Sequence, residues 1–171
     1  DSFLRISSKL LNPFILRRTK KKYLKDLPEC FERNIYVTLD KEETETYSRV
    51  RKVIGKAMSD GTSGRLTSIA LEALLRLRQT CVSLSLLPSS LYKGEKRMST
   101  KMHLVLGQIR NLGKDDKLIV FSQFVEDLEE LEGYLSENAV PYVSLYGKTT
   151  DRVTPVAVFQ SNPEVQVFLS S

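Results

Sequence analysis

The sequence has little of the residues that build metal centres and histidine-based catalytic sites. Its 171 residues include one histidine, His103, and two cysteines, Cys30 and Cys81, which stand far apart without metal-ligand spacing. A zinc site needs several such ligands at close spacing, and a Ser-His-Asp triad needs a histidine beside a carboxylate. We therefore predict no metal centre and no histidine-dependent triad, and a reducing compartment suits the sparse cysteines.

Long hydrophobic runs are also missing. No apolar stretch approaches the ~20 residues that a transmembrane helix requires. Hydrophobic residues make up 41% of the chain and charged residues 27%, which is typical of a soluble globular protein. We expect one domain plus an appendage, an intracellular location and no membrane partner. The sequence begins without methionine or a signal-peptide pattern, which predicts a piece of a longer chain.

The positive charge is concentrated near the N-terminus. The net charge is +5 and the sequence pI about 9.2, which hints at a polyanionic partner. Six cations fall within nine residues: Arg17, Arg18, Lys20, Lys21, Lys22 and Lys25. Such a run is either a solvated loop or an element that contacts phosphate groups, and the sequence leaves both interpretations open.

One stretch, residues 117–135, carries the clearest structural signal. Its first five residues, KLIVF, are β-formers, and a helical pattern follows directly after Ser122 and Gln123. A continuous apolar strand of this kind is predicted to be buried on both faces and to form half of a βαβ unit. Ligands bind at the carboxyl ends of such strands, so Ser122 and Gln123 stand where contacts are expected.

The remaining pattern predicts an α/β protein. Strands are predicted over 34–39, 141–145 and 165–169, the last two parallel to 117–121. Helices are predicted over 2–11, 40–60, 67–81, 99–112 and 151–160. The helix over 40–60 is expected to begin with a capping box of Asp40 and Glu43, and the last helix to carry Pro155 in its first turn.

The helices over 40–60 and 67–81 are expected to pair as a hairpin. In the second of them the predicted buried residues are Ile69, Leu71, Leu74, Leu75 and Leu77. The chain is accordingly divided into a basic leading segment with a strand over 1–40, a helical protrusion over 41–95, and an α/β part over 96–171.

Several short motifs then occur in a familiar order. They are PFILRRTK, DLPE, LRLRQTC, Ser99-Thr100-Lys101, KLIVFSQF, LYGKTTDR and VFLSS. Together, over residues 13–171, they resemble the Swi/Snf family of helicase-like ATPases. The resemblance implies a partial RecA-like parallel sheet of the P-loop NTPase type, with flanking helices and a helical protrusion. It covers the junction between the two lobes and the first half of the second lobe.

The resemblance also implies cofactors and partners for a full-length parent. That parent would bind ATP and Mg²⁺, translocate on duplex DNA through sequence-independent backbone contacts, and place this part against its own first RecA-like lobe. We find no complete glycine-rich phosphate loop and no acidic metal-binding motif in the sequence. We therefore assign no catalytic residue, expect no bound cofactor, and expect no ATP hydrolysis by this part alone.

Ser122 and Gln123 resemble the family's fourth motif, whose polar groups approach a DNA phosphate. A hydroxyl and an amide can donate to a phosphate oxygen without reading a base. Ser122 could equally serve as a helix cap. Ser171 resembles the first residue of the fifth motif, which touches nucleic acid in the family.

Gly147 and Arg152 resemble a glycine and an arginine near the DNA backbone, although the interval between them is shorter than in the family. Lys148 could replace Arg152 as the phosphate contact. Arg17 and Arg18 resemble a pair at the lobe junction. Because the guanidinium group binds carboxylates and phosphates alike, that pair is either a clamp between lobes or a DNA contact.

Two other functions are compatible with the sequence. One is a non-catalytic protein-interaction module with a RecA-like core, in which the acidic face over 126–132 docks a basic partner. The other is a small nucleotide-binding protein of the flavodoxin type. The second would need a phosphate-cradling loop after the first strand, where Ser-Gln-Phe stands.

Overall fold

The computed structural model describes most of the chain. The described residues are 14–16, 18–60, 63–95 and 97–171. They divide into two compact units at the boundary between Tyr36 and Val37. The helix predicted over 2–11 and Arg17 lie outside the described residues. No described helix is both long enough and apolar enough to cross a lipid bilayer.

Among its described residues, the N-terminal unit contains the short helix α1 (Lys20–Tyr23). The strand predicted over 34–39 is wrong, since these residues form no strand. Ile35 is 51% exposed and Tyr36 is 92% exposed. Alternating apolar residues form a strand only where a neighbouring strand offers backbone partners, and in the described part of the chain this stretch has none.

The two helices of the predicted hairpin are present as α2 (Lys41–Asp60) and α3 (Ser63–Val82). The burial predicted for α3 is wrong, because Leu71 is 65% exposed and Leu74 is 60% exposed. Among the α3 residues whose burial is described, Ala73 and Thr80 are the buried ones. A two-helix hairpin has one contact face, and the leucines of α3 spread beyond it.

Three parallel strands form the sheet, and all three were predicted. They are β1 (Leu118–Phe121), β2 (Tyr142–Leu145) and β3 (Val167–Ser170). The order is β1-β3-β2, so β3 pairs with both neighbours.

The predicted burial of β1 on both faces is wrong. β1 lies at an edge, where Ile119 is 49% exposed and Phe121 is 73% exposed, whereas every residue of β3 is buried. All three strands are short apolar runs of the same kind, so the pattern could not show which of them is central.

Three helices flank the sheet: α4 (Thr100–Arg110), α5 (Val125–Glu137) and α6 (Thr154–Ser161). Ser99 caps α4 by accepting from the Met102 amide at 3.1 Å, and Pro155 lies in the first turn of α6, as predicted. The main core joins α4, α5 and β3 through Met102, Leu106, Ile109, Leu128, Leu131, Leu135, Val167 and Leu169.

In addition to this apolar core, a cluster of polar residues joins the hairpin to the α/β part. The predicted capping box is formed, with Glu43 and Asp40 each bonding the other's amide at about 3 Å. Glu43, which is 2% exposed, also accepts from the Thr100 amide at 2.8 Å and the Thr100 hydroxyl at 2.6 Å. One buried carboxylate therefore joins the first turns of α2 and α4.

Asp40 also forms a bidentate ion pair with Arg97. This pair holds the pKa of the Asp40 carboxyl below its usual value.

Replacing this carboxylate by an amide should destabilise the fold. Glu43→Gln turns one acceptor oxygen into a donor, which then faces N–H and O–H groups that also donate. We expect a loss of about 1–3 kcal/mol in the free energy of unfolding, the usual cost of an unsatisfied buried polar group. Urea unfolding followed by circular dichroism measures it. The exposed neighbour provides the control, Glu45→Gln, and equal stability of the two variants would contradict the proposed role of Glu43.

Candidate nucleic-acid interface

The carboxyl ends of the three strands meet at one edge of the sheet. Beyond them, the Ser122 amide donates to the carbonyl of Ser170 at 3.1 Å, and the Ser171 amide donates to the carbonyl of Leu145 at 3.4 Å. These bonds extend the ladder past the strands and place Ser122, Ser171 and Tyr146 side by side at the same edge. Three stretches that are distant in sequence thus meet at the position where α/β sheets bind ligands.

The Ser122 hydroxyl is already engaged within the chain. It donates to Asp127 Oδ2 at 3.2 Å and accepts from the Phe124 amide at 3.2 Å. A hydroxyl has one proton to donate, so a phosphate contact through that proton requires the bond to Asp127 to break. The capping role considered for Ser122 is wrong, because α5 has Phe124 at its N-cap and no side-chain cap hydrogen bond. Ser122 instead closes a short turn with Phe124 before the helix, and its phosphate contact stays a prediction.

Asp127 is the residue at this edge that the sequence analysis missed. It belongs to the acidic face over 126–132, and no spacing rule links it to Ser122. Burial raises the pKa of its carboxyl to about 6, while the Ser122 hydrogen bond and the charge of Lys101 act in the opposite direction. A half-buried carboxylate therefore lies directly behind the strand end.

Gln123 is exposed and opens onto a cleft of about 440 Å³. The same cleft is lined by Gly147 and Lys148, which brings together three of the residues that the sequence singled out. Glu126 and Glu129 line it as well. The cleft therefore has mixed charge, and an incoming phosphate would be favoured at its Lys148 side and disfavoured beside the glutamates.

Gly147 has open space where a Cβ would stand, so nothing within the described chain requires a glycine there. The loop that follows is a defined turn, because the Tyr146 amide donates to the Thr149 hydroxyl at 2.9 Å. Asp151 then accepts from the amides of Val153 and Thr154 at 3.0 and 3.1 Å, which begins α6.

The two cations of this loop are both exposed. Lys148 lies at the cleft, whereas Arg152 does not line it. Among the described residues neither forms an ion pair. Tyr146 is held in place by donating to Glu132 at 2.9 Å, and burial together with that carboxylate raises the pKa of its phenol.

The pair at the predicted lobe junction is only half described. Arg18 is exposed, and its guanidinium lies 5.5 Å from the centre of the Tyr23 ring, a cation–π distance. Arg17 lies outside the described residues. The junction role of both arginines remains a prediction.

The residues present do not fit a complete ATP–Mg²⁺ site. Gly147, Lys148 and Thr149 match the end of a phosphate loop, but Tyr142 stands where that motif has its first glycine. A phosphate loop leads straight into a helix, whereas α6 begins only at Thr154. The described residues also contain no cluster of three carboxylate, histidine or cysteine ligands.

Comparisons with known proteins show which proteins this chain resembles in sequence and in fold. A family profile described as the SNF2-related domain matches residues 5–86. A Sulfolobus solfataricus SWI2/SNF2 ATPase core, solved in complex with double-stranded DNA, is 28% identical with a TM-score of 0.73 over 98% of this chain and 36% of that one. These similarities support the assignment of the chain as a fragment of a Swi/Snf-type helicase-like ATPase. Its fold is part of a RecA-like α/β lobe.

Curated relatives extend the Swi/Snf likeness across most of the chain. An uncharacterized ATP-dependent helicase of Mycoplasma genitalium is 27% identical over 100% of this chain and 16% of its own length. Human chromodomain-helicase-DNA-binding protein 1 is 26% identical over 91% of this chain and 10% of its own. The chain thus spans about a sixth or less of the length of these relatives.

The half-buried Asp127 carboxylate at the sheet edge should make the stability of this chain depend on pH. Asp127 has a folded pKa of about 6, against about 3.9 in an unfolded chain. The folded protein holds the proton more tightly, so this group lowers the free energy of unfolding as pH rises from about 4 to about 6. Asp127→Asn keeps an acceptor for Ser122 and should remove that decline.

Urea unfolding at a series of pH values measures the effect as the difference between the two proteins. The matched control on the exposed side of the same helix is Glu129→Gln, which should leave the decline unchanged. An Asp127→Asn profile parallel to that of the unaltered chain would contradict this assignment.

Proposed function

We propose that this chain forms part of the C-terminal helicase lobe of a Swi/Snf-type, DNA-dependent ATPase that translocates on duplex DNA inside the cell. The observation that carries the proposal is the edge of the parallel sheet where Ser122, Gln123, Lys148 and Ser171 follow three strand ends. The DNA-bound Sulfolobus core, which shares this fold, supports duplex DNA as the partner.

The proposed contacts differ in the charge or hydrogen-bond donor that each side chain can offer to a phosphate. Lys148 and Arg152 are exposed cations without a partner among the described residues, so they supply the electrostatic contacts. Gln123 is exposed and can donate through its amide. Ser122 contributes a hydroxyl only when it leaves Asp127, and Ser171 is exposed at the end of the ladder.

Contacts of this type hold the backbone without reading bases, as movement along DNA requires. Since the residues present do not form an ATP–Mg²⁺ site, ATP and Mg²⁺ are assigned to the full-length parent. The first RecA-like lobe of that parent is the expected intramolecular partner, and Arg17 and Arg18 are the candidates for the junction. In the proposed cycle, the chain binds the backbone of one DNA strand, releases it, and binds it again one step further along the duplex.

Removing the two loop cations should weaken DNA binding in a salt-dependent way. Each phosphate that is neutralised contributes about −0.9 to the slope of log K against log salt concentration. Lys148→Ala with Arg152→Ala should make the slope less steep by about 0.9 for each phosphate that is no longer neutralised. Fluorescence anisotropy with labelled duplexes of two unrelated sequences measures it.

The matched control removes two exposed lysines from α2, Lys41→Ala with Lys52→Ala, and should leave the slope unchanged. Equal decreases in slope for both double variants would mean that net charge, and not this edge of the sheet, sets the affinity. Selectivity for one duplex sequence would also count against the proposal.

The chain by itself should not hydrolyse ATP. The described residues lack a complete phosphate loop and a metal-ligand cluster, and both are needed to position and neutralise the transferred phosphoryl group. Phosphate release from ATP should equal the protein-free blank with and without duplex DNA. DNA-stimulated turnover that survives repurification of the chain would overturn this expectation.

A protein-interaction module that uses the acidic face over 126–132 is less well supported. Glu132 accepts from Tyr146, Glu130 accepts from Ser85 at 3.4 Å, and Asp127 is bonded to Ser122. Glu126 and Glu129 are the only residues of this stretch that are exposed. Most of the acidic face is thus committed to internal hydrogen bonds, which favours the motor lobe.

A further inference from the structure

A second cleft lies between the hairpin and the open edge of the sheet. It has a volume of about 590 Å³ and runs between α3 and the carboxyl end of β1. We call it the α3–β1 cleft. Its apolar wall is formed by Tyr47, Leu74, Leu77 and Phe121. Ser122 and Gln123 also line it, so the cleft adjoins the proposed DNA-contacting edge. All of these residues belong to the unit that begins at Val37.

The apolar wall extends onto an exposed surface. Leu74 is 60% exposed and Phe121 is 73% exposed. Leu71, one helical turn before Leu74, is 65% exposed, and Leu75 is 41% exposed. Single exposed leucines are common on protein surfaces, but adjacent large apolar side chains beside a cleft mark a site of protein contact.

The charges at the cleft have one sign. Arg78 and Lys101 line it, and its lining contains no carboxylate. Among the described residues neither cation forms an ion pair. Asp127 lines the smaller adjoining cavity of about 190 Å³ together with Lys101. Burial raises the pKa of the Cys81 thiol in the cleft lining, and the buried Glu43 carboxylate lies close enough to raise it further. Asp127 bonds Ser122 and stands behind the strand end, so the α3–β1 cleft itself keeps an excess of positive charge.

We propose that the α3–β1 cleft binds an acidic amphipathic segment of a protein partner. Large apolar side chains of that segment would cover Leu74 and Phe121, and its carboxylates would pair with Arg78 and Lys101. This is the arrangement of a helix-in-groove complex, with apolar anchors flanked by complementary charges. A DNA duplex is a poorer occupant, because its phosphates would satisfy the two cations and leave the leucines exposed.

A direct test uses a designed peptide and the whole chain. The peptide carries leucines at i, i+4 and i+7 of a helix and glutamates at the outward positions, with a fluorescent label. Anisotropy titration should show saturable binding. Arg78→Glu with Lys101→Glu should weaken it by at least about tenfold, the order expected when interface anchors are removed. Leu74→Ser should weaken it as well, and this exposed residue can be replaced without opening the core.

Two controls separate this surface from others. A peptide with lysines in place of the glutamates tests whether charge selects the occupant. The double variant of the other edge, Lys148→Ala with Arg152→Ala, should leave peptide binding unchanged. Labelled duplex DNA is titrated against the same set of proteins.

Each outcome decides the proposal. Binding of the acidic peptide that depends on Arg78, Lys101 and Leu74 supports it. Absence of binding, or equal binding of the lysine peptide, overturns it. If Arg78→Glu with Lys101→Glu lowers DNA affinity while the acidic peptide fails to bind, the cleft is a nucleic-acid contact and the proposal is wrong.

Discussion

The central strand β3 is the element on which the rest of the structure depends. Its four residues are buried, and it supplies hydrogen-bond partners to β1 on one side and to β2 on the other. β1 and β2 do not pair with each other, so only their pairing with β3 aligns the ends of the two edge strands. Without that alignment, Ser122 and Tyr146 would not lie at the same edge of the sheet.

Side-chain hydrogen bonds join the loops at the amino end of the sheet. Lys117 donates to the carbonyls of Asn162 and Val165 at 2.8 and 3.1 Å, which ties the loop before β3 to the start of β1. The side-chain amide of Gln166 donates to the backbone carbonyls of Gly113 and Asp116 at 2.6 and 2.9 Å. These side chains satisfy backbone groups that no ladder reaches, so the strand registers cannot slip independently.

Much of this architecture could be predicted from the residues. The capping box of Asp40 and Glu43, the cap at Ser99 and the first-turn position of Pro155 follow from local chemistry, since each involves neighbours within about one helical turn. The three parallel strands followed from short apolar runs separated by helical patterns. Strand order could not be predicted in the same way. LIVF in β1 and VFLS in β3 have similar patterns, and only pairing between stretches distant in sequence, as between Leu118 and Val167, makes one central and the other exposed.

The site was predictable to a similar extent. Gln123, Gly147 and Lys148 could be placed together because parallel strands end at one edge. The bond from Ser122 to Asp127 could not, since it depends on how α5 leaves its strand. The two glutamates that share the cleft with Lys148 were visible in the sequence, but their orientation was not. For the same reason, the exposure of the leucines of α3 could not be predicted, because their helical spacing is equally compatible with a buried face.

Photo-crosslinking tests the account most directly, because it reports which surface meets DNA. A photoreactive phenylalanine analogue is placed at position 123, at position 148 or at position 137, with duplex DNA as the target. Glu137 is exposed at the far end of α5, away from the strand carboxyl ends. The account predicts crosslinks to both strand-end positions, with any duplex sequence, and none from position 137. Crosslinking from position 137 alone, or equally from all three positions, would contradict the claim that this edge of the sheet faces the nucleic-acid backbone.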